Sequence, residues 1–162
     1  SVRTVSEGLY PSILDQFSLE EAFRELVETW ANRDRDRVYR LHISEIPKCN
    51  SVDVKLAAYR VLQECLSNIV HHSESKSVDV FMNVEINQHE DDSHVNCENM
   101  LRVVVQDDGI GFDPDAAMHG IGFLSMRERV LAVKGVFNVD AKPGKGCIVT
   151  VCFPLNVDKS EQ

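Results

Sequence analysis

The chain has no apolar run approaching ~20 residues, so no segment has the length of a membrane-spanning helix. It has no cationic excess: 17 Lys and Arg stand against 26 Asp and Glu, a formal net charge of −9. That excludes a broad nucleic-acid-binding face, which needs a cationic footprint. It leaves room for a small anionic ligand at a locally positive site. No two of the five cysteines (Cys49, Cys65, Cys97, Cys147, Cys152) have CxxC spacing. Their number is odd and several stand in apolar runs, where Cys acts as a small hydrophobe, so a reducing, cytoplasmic setting is expected. Internal repeats, a secretory leader and an initiating Met are also missing. The expectation is a piece of a longer protein, with room for a membrane segment upstream.

What is present is a globular composition, 43% hydrophobic over 162 residues. That suits one domain with its own core. Ser18-Leu19-Glu20-Glu21 has the form of a helix start, Ser capping and Glu three residues on. The helix is expected to run to about Asn32, with Ala22, Phe23, Leu26, Val27 and Trp30 on its apolar face. A strand is expected over 38–44, a long helix over 52–72, and strands over 78–86 and 101–106. The polar, acidic stretch 87–99 between the last two reads as a long hairpin loop. A further helix over 122–134, stopped by Gly135, precedes strands over 136–141 and 147–153. Consecutive strands with short connections imply antiparallel pairing, and helices between them imply one layer on one sheet face: a two-layer α+β sandwich.

Four patterns could carry chemistry. The Val-rich run 101–105 ends at Asp107-Asp108-Gly109-Ile110-Gly111, where a carboxylate meets glycines that let a backbone approach a flat ligand. Alone, this also fits a plain turn. Within the long helix Glu64, Asn68 and His72 recur at spacing four, with His71 beside them. They fit a solvated face, but Asn is a poor helix-interior residue, and this donor set suits a hard cation with phosphates. His119-Gly120-Ile121-Gly122 precedes a helix whose amino end favours an anion. Gly144-Lys145-Gly146 joins the last two strands as a hairpin turn. In the 87–99 stretch His89, Glu90, Asp91, Asp92, His94 and Cys97 match no recognised ligand spacing, so a solvated insert is preferred over a metal site.

Taken in order, these four motifs resemble the ATP-binding domain of two-component sensor histidine kinases, within the gyrase, 90-kDa heat-shock chaperone, histidine kinase and MutL superfamily. YRVLQECLSNIVHHS (59–73), GFLSMRERV (122–130) and YPSILDQFSLEEAF (10–23) are most similar to its nitrate-sensor subgroup. The resemblance covers nearly the whole chain. It implies a Bergerat-type fold, a mixed, mostly antiparallel sheet with helices on one face, over residues 18–157. Residues 1–17 would be the tail of a dimerisation region and 158–162 a disordered tail.

The resemblance also implies roles. Asp107 would read the adenine amino group, with Gly109, Ile110, Gly111 and Phe112 passing the base and ribose. Glu64 would be the general base. Asn68 would hold Mg²⁺, with His71 and His72 at the phosphate end. Gly120, Ile121, Gly122 and Phe123 would wrap the phosphates, and residues 113–119 would form a short lid. Cys147 would stand on the adenine side where the family usually has Thr, and His71 where the subgroup commonly has Arg or Lys. The expected ligands are ATP and Mg²⁺. The expected partners are the upstream dimerisation and phosphoacceptor region and a response regulator. The family's phosphoacceptor motif, of the kind E-L-H-D, is absent: His42, His71, His72, His89, His94 and His119 all lie in other contexts. The chain would thus supply the γ-phosphate to a His outside itself. Alternatives are an ATP-driven machine of the MutL type, an anti-sigma-type protein-serine kinase and a degenerate, partner-binding domain.

Overall fold

The computed structural model describes residues 11–44, 46–48, 51–91, 94–113 and 122–155, and of residues 86–98 the backbone alone. After a short turn of helix, α1 (Ile13–Gln16), come α2 (Leu19–Arg33), β1 (Val38–Ile43), α3 (Val52–Asn68), a π-helical turn (Ile69–Ser73), β2 (Ser77–Asp91), β3 (His94–Asp107), α4 (Phe123–Ala132), β4 (Val136–Ala141) and β5 (Cys147–Pro154). The helix start read at Ser18 is present: its hydroxyl accepts the Glu21 N–H at 3.2 Å. Ser51 caps α3 in the same way through Val54, at 3.3 Å.

The five strands form one sheet in the order β1-β2-β3-β5-β4. The β1–β2 pair is parallel and the other pairs are antiparallel. The exception follows from the connection: α3 lies between β1 and β2, and a helical crossover returns the chain in the same direction. Along β2, β3 and β5 alternate residues turn inward, namely Val78, Val80 and Met82, then Leu101, Val103 and Val105, then Val149, Val151 and Phe153. They meet Phe23 and Ala22 of α2, Val61, Leu62 and Leu66 of α3, and Met126 and Val130 of α4 in one core. Fully burying a side chain such as Phe23, Leu62 or Phe153 contributes about 1.5–3 kcal/mol. The fold is therefore the expected two-layer α+β sandwich.

Two elements differ from the sequence reading. The stretch expected as a hairpin loop over 87–99 is strand: β2 and β3 stay paired from Val78↔Asp107 out to Asp91↔His94. Backbone hydrogen bonds between neighbouring strands do not depend on apolar side chains, so a polar stretch can continue the ladder. The helix expected to run unbroken over 52–72 is α-helical only to Asn68 and then widens into the π-turn. That turn ends at Glu74, which is left-handed at φ 52°.

Candidate functional site

Asp107 is the last residue of β3, opposite Cys147 of β5 and Val78 of β2. It continues the inward alternation of Leu101, Val103 and Val105, so its carboxylate points between sheet and helices and is only 7% exposed. Burial pushes this carboxyl above the usual carboxylate range; the Gly109 N–H, donating to Oδ1 at 2.9 Å, pulls the other way, Asp108 adds to the rise and Arg37 opposes it. Asp108 has a different task. Its Oδ1 accepts the N–H groups of Ser77 and Lys76, both at 2.9 Å, and these bonds hold its carboxyl below the usual range.

The glycines after Asp107 are packed against backbone. A Cβ on Gly109 would collide with the Ser73 carbonyl, which also accepts the Ile110 N–H at 2.7 Å. Gly146, at φ +74°, lies against the Asp107 carbonyl, again with no space for a Cβ. The Gly144 N–H donates to the Ile110 carbonyl at 2.5 Å. The β4–β5 turn, which alone reads as a hairpin connection, thus clasps the turn after β3. The β3–β5 register, Asp107 beside Cys147, brings the two together.

A cleft opens above Asp107. Asn68 and His72 come from the end of α3 and the π-turn, Gly111 and Phe112 from the turn after β3, Phe123 from α4 and Cys147 from β5. Cys65, Ile69, Ser73, Val105 and Val149 complete the lining. The last five were not singled out from sequence; the inward parity of Val105 and Val149 on their strands was the signal available for two of them. The rings of Phe112 and Phe123 lie 5.1 Å apart and form one wall. Burial pushes both cleft thiols up, that of Cys147 to about 12, so they are neutral and poor nucleophiles. Cys65 donates to the Met126 sulfur at 3.8 Å.

The Glu64, Asn68, His72 stripe is divided between two surfaces. Asn68 and His72 line the cleft. Glu64 lines a polar groove between α3 and α4, with Arg60, Gln63, Ser67, Ser125, Met126 and Arg129. Its Oε1 would lie 2.6 Å from a Cβ on Gly122, so the carboxylate rests against the start of α4, where cleft and groove adjoin. His71 is exposed, and its Nδ1 lies 2.7 Å from the Ser67 carbonyl, which can only accept, so this nitrogen carries the proton. Ile110 is 48% exposed. Gly122, the N-cap of α4, has φ 77° and no side chain with which to cap the helix. The amino end of a helix favours an anion. Gly120, Ile121 and all of the expected lid but Asp113 lie outside the described residues. Among the described residues no cluster of His, Cys, Asp and Glu could hold a metal by itself, and no helix is long and apolar enough to cross a membrane.

Residues 53–157 match the family described as histidine kinase-, DNA gyrase B-, and HSP90-like ATPase. The chain is 29% identical over 162 residues to the oxygen sensor histidine kinase NreB of Staphylococcus carnosus, covering 95% of this chain and 41% of that protein. It is 27% identical over 147 residues to the sensor histidine kinase ComP of Bacillus subtilis, covering 89% of this chain and 17% of that one. The chain thus spans well under half the length of these relatives. Among solved structures, the histidine kinase domain of the blue-light activated kinase of Erythrobacter litoralis EL346 superposes with a TM-score of 0.64 at 20% identity, over 86% of this chain and 62% of that one. The histidine kinase AdeS of Acinetobacter baumannii superposes with a TM-score of 0.64 at 15% identity, over 86% and 66%. These likenesses match the fold.

Proposed function

The chain belongs to the family of histidine kinase-, DNA gyrase B- and HSP90-like ATPases, and we propose that it holds ATP for transfer of the γ-phosphate to a histidine elsewhere in a longer sensor kinase. It is an ATP-binding catalytic domain of the sensor histidine kinase kind. The observation that carries the reading is the buried Asp107 carboxylate in a mostly apolar cleft that Asn68, His72 and Phe123, the first residue of α4, also line.

In this reading one oxygen of Asp107 is held by Gly109 and the other accepts from the adenine amino group. Phe112, Gly111, Cys147 and the valines of β3 and β5 cover the base. The triphosphate runs toward His72 and the first amides of α4, where Gly120, Ile121, Gly122 and Phe123 wrap it. The donor set fits Mg²⁺: Asn68 offers one neutral oxygen in the cleft, and such an ion takes most of its shell from water and phosphate. Bound there, Mg²⁺ would neutralise charge on the phosphates. Glu64 is the general base, and its place in the α3–α4 groove has the acceptor nitrogen arriving from that side. Transfer depends mainly on positioning and charge neutralisation, so the acceptor helix must be supplied.

The functional unit is residues 18–157, with 1–17 as the end of a dimerisation region and 158–162 as a tail. A response regulator receives the phosphoryl group from the histidine, on the cytoplasmic side. Calorimetric titration with a non-hydrolysable ATP analogue, with and without Mg²⁺ and with a GTP analogue as control, tests this. Saturable, adenine-selective and Mg²⁺-sensitive binding is expected; absence of binding under every condition sinks the reading.

A further inference from the structure

Ser75 and Asp107 are the two buried polar or charged residues among those described, at 5% and 7% exposure. Asp107 has its task in the cleft. Ser75 stands outside the cleft lining and is the centre of a hydrogen-bond chain. Arg37 Nε donates to the Ser75 hydroxyl at 3.1 Å. The Ser75 and Ser73 hydroxyls are 2.8 Å apart, and the Ser73 hydroxyl donates to the Ile69 carbonyl at 2.9 Å. A hydroxyl has one hydrogen. With that of Ser73 given to Ile69, Ser75 donates to Ser73 and accepts from Arg37. The order runs one way, from guanidinium to the backbone of the π-turn. Behind Arg37, its NH1 pairs with Asp34 Oδ2 at 2.9 Å, and the Tyr39 hydroxyl donates to the same oxygen at 2.6 Å. Both ionic side chains are nearly buried, 12% exposed for Arg37 and 11% for Asp34.

The far end of this chain is the wall of the nucleotide cleft. Ser73 lines it. The Ser73 carbonyl accepts from Ile110 and presses on Gly109, which donates to Asp107. The turn carrying Asp107 is therefore held against the π-turn, and the π-turn is held by Arg37. Resting on the reading of the cleft as an adenine site, we propose that Arg37, through Ser75 and Ser73, is a positioning residue for base recognition. It couples the α2–β1 turn, where Asp34 caps α2, to the base end of the cleft. Arg37 also acts on Asp107 through space, favouring its charged form. The other titratable groups facing Asp107 are Asp108 on its own turn, Cys147 on β5, Cys65 on α3 and His72 on the π-turn.

The test is calorimetric titration of the chain with adenosine, ADP and Mg·ATP across the acid range, for wild type, Arg37→Met, Arg37→Lys and Ser75→Ala, with thermal melts alongside. Loss of a buried, charge-assisted bond predicts about tenfold weaker binding in Arg37→Met, equal for adenosine and ATP because the damage is at the base end. Removing the positive charge raises the carboxyl further, so binding in Arg37→Met is lost at a higher pH than in wild type. Arg37→Lys keeps the wild-type pH midpoint. Ser75→Ala shows the base-end loss at an unchanged midpoint, and it decides the matter if Arg37→Met melts too low to titrate. Wild-type affinity for adenosine in Ser75→Ala and Arg37→Met, or a loss confined to the triphosphate, overturns the proposal. Failure of the wild-type chain to bind adenosine overturns the reading of the cleft itself, and the proposal with it.

Discussion

Asp107→Asn separates recognition from stability. The two side chains have one shape, and Oδ1 of either accepts the Gly109 N–H held at 2.9 Å, so the turn survives. Only the second atom changes, from an accepting oxygen to a donating NH₂. An adenine amino group there loses a bond to a charged acceptor, worth about 1.5–3 kcal/mol. It also faces a second donor in a dry site, with its desolvation uncompensated at a further ~1–3 kcal/mol. Together these give a loss of about 2.5–6 kcal/mol, or roughly two to four decades in Kd.

For folding the sign is opposite. Burial raises the Asp107 carboxyl above its unfolded value, so the folded state holds the proton more tightly. Its contribution to stability is full below the unfolded pKa and is lost as pH rises through the folded pKa. Above the folded pKa the buried charge is a cost that Asn removes. The variant should melt at the wild-type temperature or above it while titration with a non-hydrolysable ATP analogue shows affinity down at least a hundredfold. Affinity within about threefold of wild type would refute the base-reading role. A clearly lower melting temperature would refute the argument that the carboxylate is a burial cost. Asp107→Ala, which also strips Gly109 of its acceptor, should lose both binding and stability.

The remaining predictions concern the other end of the cleft, its floor and the acid limb of stability. Asn68→Ala should weaken the Mg²⁺-dependent part of ATP binding and leave adenosine affinity intact; an unchanged Mg²⁺ dependence in titrations removes the metal role. Gly109→Ala sets a methyl against the Ser73 carbonyl, a backbone atom tied to Ile110. It should cost about 1–3 kcal/mol in denaturant unfolding, and an unchanged midpoint would show that the turn can yield. Asp34, Asp79 and Asp108 have lowered carboxyls, so each contributes stability above its unfolded pKa that is lost as pH falls through its folded value. Melting temperature should therefore fall in acid, and Asp108→Asn should flatten that fall; an identical pH profile counts against the Asp108 bonds to β2.

The difference between what the sequence shows and what it conceals is one of range. Parity is local: residues 101, 103, 105 and 107 share one face of a strand, so once the valines are placed in the core the Asp107 carboxylate follows them inside. Spacing on a helix is nearly local, and it misleads in a definite way. Four residues advance about 400°, roughly 40° past a full turn, so two such steps drift by about 80°. The π-turn after Asn68 changes the winding again. Glu64 therefore faces the α3–α4 groove while Asn68 and His72 face the cleft. The link from Arg37 to Ser75, by contrast, spans 38 positions and exists only because β1 lies parallel beside β2, with Val38 opposite Ser77. Neither Arg nor Ser is unusual where it stands in the sequence. Register alone makes Ser75 a buried hub, and register is also what sets Cys147 and the Gly146 turn against Asp107. The residues that touch the ligand in this reading thus stand in short motifs, while the residues that hold those motifs in place come from distant strands and turns. Substitutions at Arg37 and Ser75 accordingly probe the fold's own contribution to recognition, which no motif contains.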